Sequence, residues 1–295
     1  MFKDYKMRIR VITDSAADFP IDIMDKYDVA VVRHTVHFKE ESWKIGQGIS
    51  VKEYYAKLEQ MDELPTNATP TLQEFQEIFQ ESLEEKKYDH IVYIALSDVL
   101  SGTANVARLA AKKFKDKITI FNTESGSGVQ GLLLLDLIEL LEKKTKLNKI
   151  ITQLNELKDD YILVVGFHTL ENVHKTGRFQ SKFLLNLTKF IKIKPTVVME
   201  RPGKVVSKLP AFFSEFKMEK RLIKLVLKRA KKDKLYDVII SHVENEEGAE
   251  RLIKKVRDKV RIGKSFITDA SPIIGTNTGK GTIIVSLVPS LGNQL

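Results

Sequence analysis

The residues best equipped for chemistry in this chain are hydroxyls and amides placed where apolar runs end. His90-Ile91-Val92-Tyr93-Ile94-Ala95-Leu96 reads as a buried strand, and residues 97–103 turn from it into a helix that starts near Ala104. Ser101-Gly102-Thr103 at that helix start offers two hydroxyls. It also offers backbone N–H groups that have no acceptor inside the helix, and the helix dipole adds positive potential. Such a turn suits an anion, either a phosphate or a carboxylate. Thr13-Asp14-Ser15 follows the first strand, and Asn67-Ala68-Thr69-Pro70-Thr71 has a similar composition. As capping residues, Ser101, Asp14, Ser15 and Thr71 need no ligand. As ligands they would lie beyond the carboxyl ends of strands, where open α/β sheets bind small molecules.

Several other chemistries lack their motifs. No G-x-G-x-x-G follows the first strand, and there is no G-x-x-x-x-G-K-[ST], H-E-x-x-H or EF-hand loop. Cysteine is absent and the six His are scattered, so neither thiolate chemistry nor a metal site is expected. A lone His such as His168 or His242 reads as structural or as a surface residue. Ser101 does not sit in a G-x-S-x-G elbow, and the sequence shows no His partner for it. These residues suit binding rather than bond-breaking, with no catalytic residue and no cofactor expected.

Strands and helices must alternate to position these loops. Residues 8–12 read as a strand, 20–24 as the start of a helix, and 30–38 as one extended segment. Ser50 and Thr71 each cap a helix, and a strand at 118–121 precedes a helix at 129–142. This rhythm predicts an α/β N-terminal domain, residues 1–160, with a mainly parallel sheet flanked by helices. The second half mixes a hairpin at 194–207, a long basic helix at 215–232, strands near 161–165, 237–242, 265–268 and 282–287, and a turn at 276–281. It reads as an α+β C-terminal domain, residues 161–295.

The net charge of +9 is uneven. Residues 1–150 carry 21 Lys and Arg against 24 Asp and Glu, and residues 151–295 carry 27 against 15. A basic half could meet nucleic acid or an anionic surface. No basic cluster is interleaved with aromatics in the way single-strand binding needs, so solvated helix faces are the plainer reading and no nucleic-acid partner is expected. The apolar stretch at 131–141 is broken by Asp136 and Glu139 and is too short to span a bilayer, and the N-terminus lacks a signal-peptide apolar region. A cytoplasmic protein without integral membrane association is the expectation.

Taken in order, these segments resemble the DegV family of fatty-acid-binding proteins. Val11-Ile12-Thr13-Asp14-Ser15-Ala16-Ala17-Asp18-Phe19-Pro20 is similar to the family's opening I-T-D-S-x-x-D-L-P. Leu64-Pro65 with residues 67–71 and Phe75 resembles P-x-T-S-Q-P-S…F, and Ser97 with Leu100-Ser101-Gly102-Thr103 and Ala107 resembles S-x-x-L-S-G-T…A. Gln130-Gly131-Leu132, Thr169 to Arg178, and Thr276 to Gly281 match further segments.

The resemblance implies a non-enzymatic two-domain protein that holds a long-chain fatty acid between its domains. Its carboxylate would lie at Ser101, Gly102 and Thr103, with Asn67, Thr69, Thr71, Asp14, Ser15, Asn277 and Thr278 around it. It also implies a separate ATP-binding kinase subunit as partner, with Arg178 contacting that partner or a phosphate. The apolar faces of the helices at 71–83 and 129–141 are candidate pocket walls or, on the plainer reading, ordinary core. Asn67 stands where the family has Thr, and Asn277 where it has His. The second change removes an imidazole from the neighbourhood of the head group. An enzyme acting on a small carboxylated or phosphorylated metabolite through the same anion site is the alternative.

Overall fold

The structure, a computed structural model, describes residues 7–39, 41–61, 63–168, 171–175, 194–201, 204–207 and 215–293. The first half holds strands Ile9–Asp14 (β1), Ala30–Val32 (β2), Thr35–Phe38 (β3), Glu41–Lys44 (β4), Thr66–Ala68 (β5), His90–Ala95 (β6) and Ile118–Asn122 (β7). Its helices are Ile21–Lys26 (α1), Val51–Glu59 (α2), Leu72–Gln80 (α3), Thr103–Ala111 (α4), Ser127–Glu142 (α5) and Leu147–Asp159 (α6). The second half holds Ile162–Gly166 (β8), Glu171–Lys175 (α7), Thr196–Glu200 (β9), Lys204–Ser207 (β10), Glu215–Leu227 (α8), Tyr236–His242 (β11), Glu246–Arg257 (α9), Ile262–Asp269 (β12), Pro272–Thr278 (α10) and Ile283–Pro289 (β13).

The expected parallel sheet is present, in the order β2-β1-β6-β7 with every neighbour parallel. A second sheet runs β10-β9-β8-β13-β11-β12 and is antiparallel except where β11 meets β12. This mixed α/β architecture matches the fold class read from the sequence. No helix among the described residues is long and apolar enough to cross a membrane.

Three local readings change. The extended segment at 30–38 divides at Arg33-His34. β2 stays in the parallel sheet, whereas β3 leaves it for a small antiparallel sheet, β4-β3-β5. At the break the His34 N–H donates to Ser15 Oγ (3.0 Å), and the Arg33 guanidinium donates to the Ile45 carbonyl (2.8 Å). Side chains thus take over where the strand ladder stops. The basic helix ends at Leu227 rather than Lys232. Residues 276–278, read as the start of a turn, form the last part of α10. The Thr276 and Thr278 hydroxyls and the Asn277 amide donate to carbonyls four residues back, at Pro272, Ile274 and Ile273. Residues that look like turn formers are therefore satisfied inside a helix. The chain leaves it at Gly279, whose φ is +84°.

Helix α5 lies at the centre. It packs against β1 and β6 of the parallel sheet and against β11 and β13 of the larger one. Leu132, Leu133, Leu134 and Leu137 are buried in a core shared with Val11, Val92, Leu163, Val165 and Ile239. Two glycines permit this approach. A Cβ on Gly128 would stand 2.8 Å from Ile239, and one on Gly131 would stand 2.3 Å from the Asp18 carbonyl.

Asp18 ties three segments together. Its buried carboxylate accepts from Ser127 Oγ at the start of α5, and from the Ser271 N–H (2.7 Å) just before α10. Burial raises its pKa from 3.8 to about 6, against the opposing effect of those donors. In the unfolded chain the group titrates near 3.8, so between that pH and about 6 the folded state holds the extra proton. The stabilisation by neutral Asp18 is complete below pH 3.8 and is lost as pH rises through 6. Urea unfolding of the parent and of Asp18→Asn should therefore diverge across this window. The parent should lose up to about 3 kcal/mol relative to the variant from pH 4 to pH 7. A pH-independent difference between the two would contradict this assignment.

Candidate functional site

Asp14 organises the ends of β1 and β6. One carboxylate oxygen accepts the Ala16 N–H (3.0 Å), and the other accepts the Tyr93 hydroxyl (2.7 Å) and the Leu96 N–H (3.0 Å). Buried and accepting three hydrogen bonds, Asp14 braces the two loops. Thr13 Oγ1 reinforces the brace by donating to the Ile94 carbonyl (2.9 Å). The Gln130 amide of α5 reaches both of these oxygens at 3.2 Å.

The two braced loops meet through His34. Its Nδ1 is 2.9 Å from Ser15 Oγ and its Nε2 is 3.0 Å from Thr103 Oγ1. Thr103 Oγ1 is in turn 2.8 Å from Ser101 Oγ. Ser15, His34 and Thr103 are buried, while Ser101 is half-buried at the outer end of the chain. Burial holds the His34 pKa below its usual 6.5, with the Asp14 carboxylate opposing and Lys44 adding to the shift. At neutral pH the ring therefore carries no charge.

Gly102 is the N-cap of α4 and leads straight into Thr103. The expected set of free N–H groups is smaller here than the sequence suggests. The Ser101 N–H donates to the Ser97 carbonyl (3.1 Å), and the Thr103 N–H donates to Ser101 Oγ (3.3 Å).

The other candidates do not hydrogen-bond to this network among the described residues. Asn67 lies on β5 opposite Val36, two residues beyond His34, and its Oδ1 is buried without a hydrogen-bond partner. Turning the amide over would put a donor there instead. Thr69 is exposed. Thr71 is the N-cap of α3, in a capping box in which its Oγ1 accepts the Glu74 N–H (3.2 Å) and Glu74 returns to the Thr71 N–H (2.8 Å). Asn277 and Thr278 bond within α10. Arg178 lies outside the described residues.

An apolar cluster adjoins the polar chain. Leu96 and Leu100 from the loop after β6 pack with Val36, Tyr54, Ile273 and Ile274, so the chain's two halves both contribute. The helix faces put forward as pocket walls belong elsewhere. Phe75 of α3 lies tilted against Phe79 and meets Tyr93 edge-on, and the leucines of α5 are core. The sequence reading missed His34. Its meaning depends on a strand that changes sheets, and a His in an extended run gives no sign of that.

A family model described as an uncharacterised protein of the DegV family matches residues 8–290. A Thermotoga maritima relative named as a fatty acid-binding protein is 24% identical over 290 residues, covering 94% of this chain and 96% of its own. Among solved structures, a DegV family protein from Thermus thermophilus, described by its fatty acid binding, aligns with a TM-score of 0.88 and 24% identity. That alignment covers 96% of this chain and 100% of that one. A stearic acid-binding protein from Eubacterium ventriosum aligns at 0.85 with 18% identity, over 95% and 98% of the two chains.

The capping geometry of Thr71 makes a direct prediction. Thr71→Ala should lower the unfolding free energy of the ligand-free protein by about 1 kcal/mol, read from chemical denaturation. No loss of stability would mean that the Thr71 hydroxyl is not held by the helix it opens.

Proposed function

The chain belongs to the DegV family, and from that premise we propose that it binds a long-chain fatty acid, with the carboxylate at the Ser101-Gly102-Thr103 helix start, held by the Ser101 hydroxyl, and the acyl chain between the halves at residues 1–160 and 161–295. The observation that carries this reading is the hydrogen-bonded run from Ser15 through His34 and Thr103 to Ser101. It ends on a half-buried hydroxyl beside the apolar cluster of Leu96, Leu100, Ile273 and Ile274. A carboxylate there would accept a charge-assisted hydrogen bond. Each methylene of the tail removed from water would add about 0.8 kcal/mol. The fatty acid-binding descriptions of the Thermotoga maritima relative and of the Thermus thermophilus DegV family protein support the ligand class.

Binding fits this geometry better than hydrolysis by Ser101. The hydroxyls in contact with the imidazole are those of Ser15 and Thr103, both buried, and Ser101 reaches the ring only through Thr103. The proposal includes cytoplasmic action and presentation of the carboxylate to a separate ATP-binding kinase subunit. Support for that partner is the family resemblance, with Asn67 and Asn277 as the departures from it.

Native mass spectrometry of protein purified without organic solvent should show bound fatty acid. Calorimetric titration of delipidated protein with oleate should give saturable binding. Ser101→Ala should weaken that binding by about tenfold or more, as expected for one hydrogen bond to a charged group. Failure of the wild-type protein to bind in both measurements would overturn the proposal. An unchanged Ser101→Ala would remove that hydroxyl from the site.

A further inference from the structure

We infer that His34 is a positioning residue that fixes Ser101 as a hydrogen-bond donor and so sets the preference of the site for a carboxylate over a neutral head group; this rests on the fatty-acid reading above. Ser15 Oγ already accepts the His34 backbone N–H at 3.0 Å and lies 2.9 Å from Nδ1. Among the described residues Nδ1 is the one acceptor in reach of the Ser15 hydroxyl proton, so Ser15 donates to it. A neutral imidazole has one N–H. With Nδ1 accepting, that N–H is on Nε2 and donates to Thr103 Oγ1 (3.0 Å).

Thr103, having accepted, passes its own proton to Ser101 Oγ (2.8 Å). Ser101 Oγ also accepts the Thr103 backbone N–H at 3.3 Å. Both of its lone pairs are then engaged, and what Ser101 has left to offer a ligand is its proton. The opposite tautomer would reverse each bond between side chains in the run. Thr103 would donate to Nε2, and Ser101 would have a lone pair free to face an anion. Three features hold the working direction: the β2–β3 break that turns the His34 N–H toward Ser15, the burial of the ring, and the absence of charge on it at neutral pH. A carboxylate accepts and cannot donate, whereas an alcohol can do both. The direction of this run therefore favours the acid.

The test compares oleate with oleyl alcohol as titrants of delipidated wild-type, His34→Leu, His34→Gln and Ser15→Ala proteins, with thermal unfolding recorded for each. In His34→Leu the ratio of acid to alcohol affinity should fall by about tenfold, the effect of one misdirected hydrogen bond to a charged group. His34→Gln keeps a donor toward Thr103 and should retain most of the ratio. Ser15→Ala releases Nδ1 and should lower it. A purely structural defect would weaken both ligands together and leave the ratio unchanged. That result in a folded His34→Leu or, should that variant fail to fold, in Ser15→Ala overturns the inference. If the wild-type protein binds neither titrant, it is the parent fatty-acid reading that fails.

Discussion

The polar site depends on a carboxylate that makes no contact with its open end. Asp14 accepts three hydrogen bonds in a buried setting and joins the last residues of β1 to the last residues of β6. A charged acceptor of this kind stabilises by about 1.5–3 kcal/mol per bond, and leaving such a group unpartnered in the interior costs more. The two loops that carry Ser15 and Ser101 are therefore held to the sheet at their roots. Hydroxyls on free loops would have to be ordered each time a ligand arrived. Here they are ordered in advance, and the imidazole between them spans a gap whose width Asp14 helps to set.

The same economy governs how the chain's halves meet. Asp18, four residues after Asp14, contacts both the start of α5 and the segment before α10. Tyr54 and Tyr55 of α2 bond to Thr276 and to the Ala270 carbonyl. Polar bonds on either side of the apolar cluster thus fix where Ile273 and Ile274 lie against Leu96 and Leu100. A non-directional apolar contact gains its register from directional bonds nearby.

Much of this arrangement was legible in the sequence. The Ser101-Gly102-Thr103 helix start and the cap at Thr71 follow from local rules of turn and cap chemistry. The alternation of strands and helices announced the parallel sheet. What escaped depends on partners distant in sequence. His34 bonds to Ser15 and to Thr103, 19 and 69 residues away. The short strands β4 and β5 are defined by pairing with β3 rather than by any pattern of their own. The end of α10 was hidden because Thr276, Asn277 and Thr278 are residue types that favour turns until their side chains find carbonyls within a helix.

The placement of α5 also bears on how the molecule is made. Its residues emerge from the ribosome well before β11 and β13, against which they pack, at 236–242 and 283–289. Until those strands exist, the side of α5 that meets Ile239 has no native cover, so burial of this most apolar helix must wait for nearly the whole chain. Pairings of such long sequence separation form slowly and leave apolar surface exposed in the interval. A nascent chain stalled before residue 236 would therefore carry a sticky helix, and its need for chaperone protection should end only as the final strand enters the sheet.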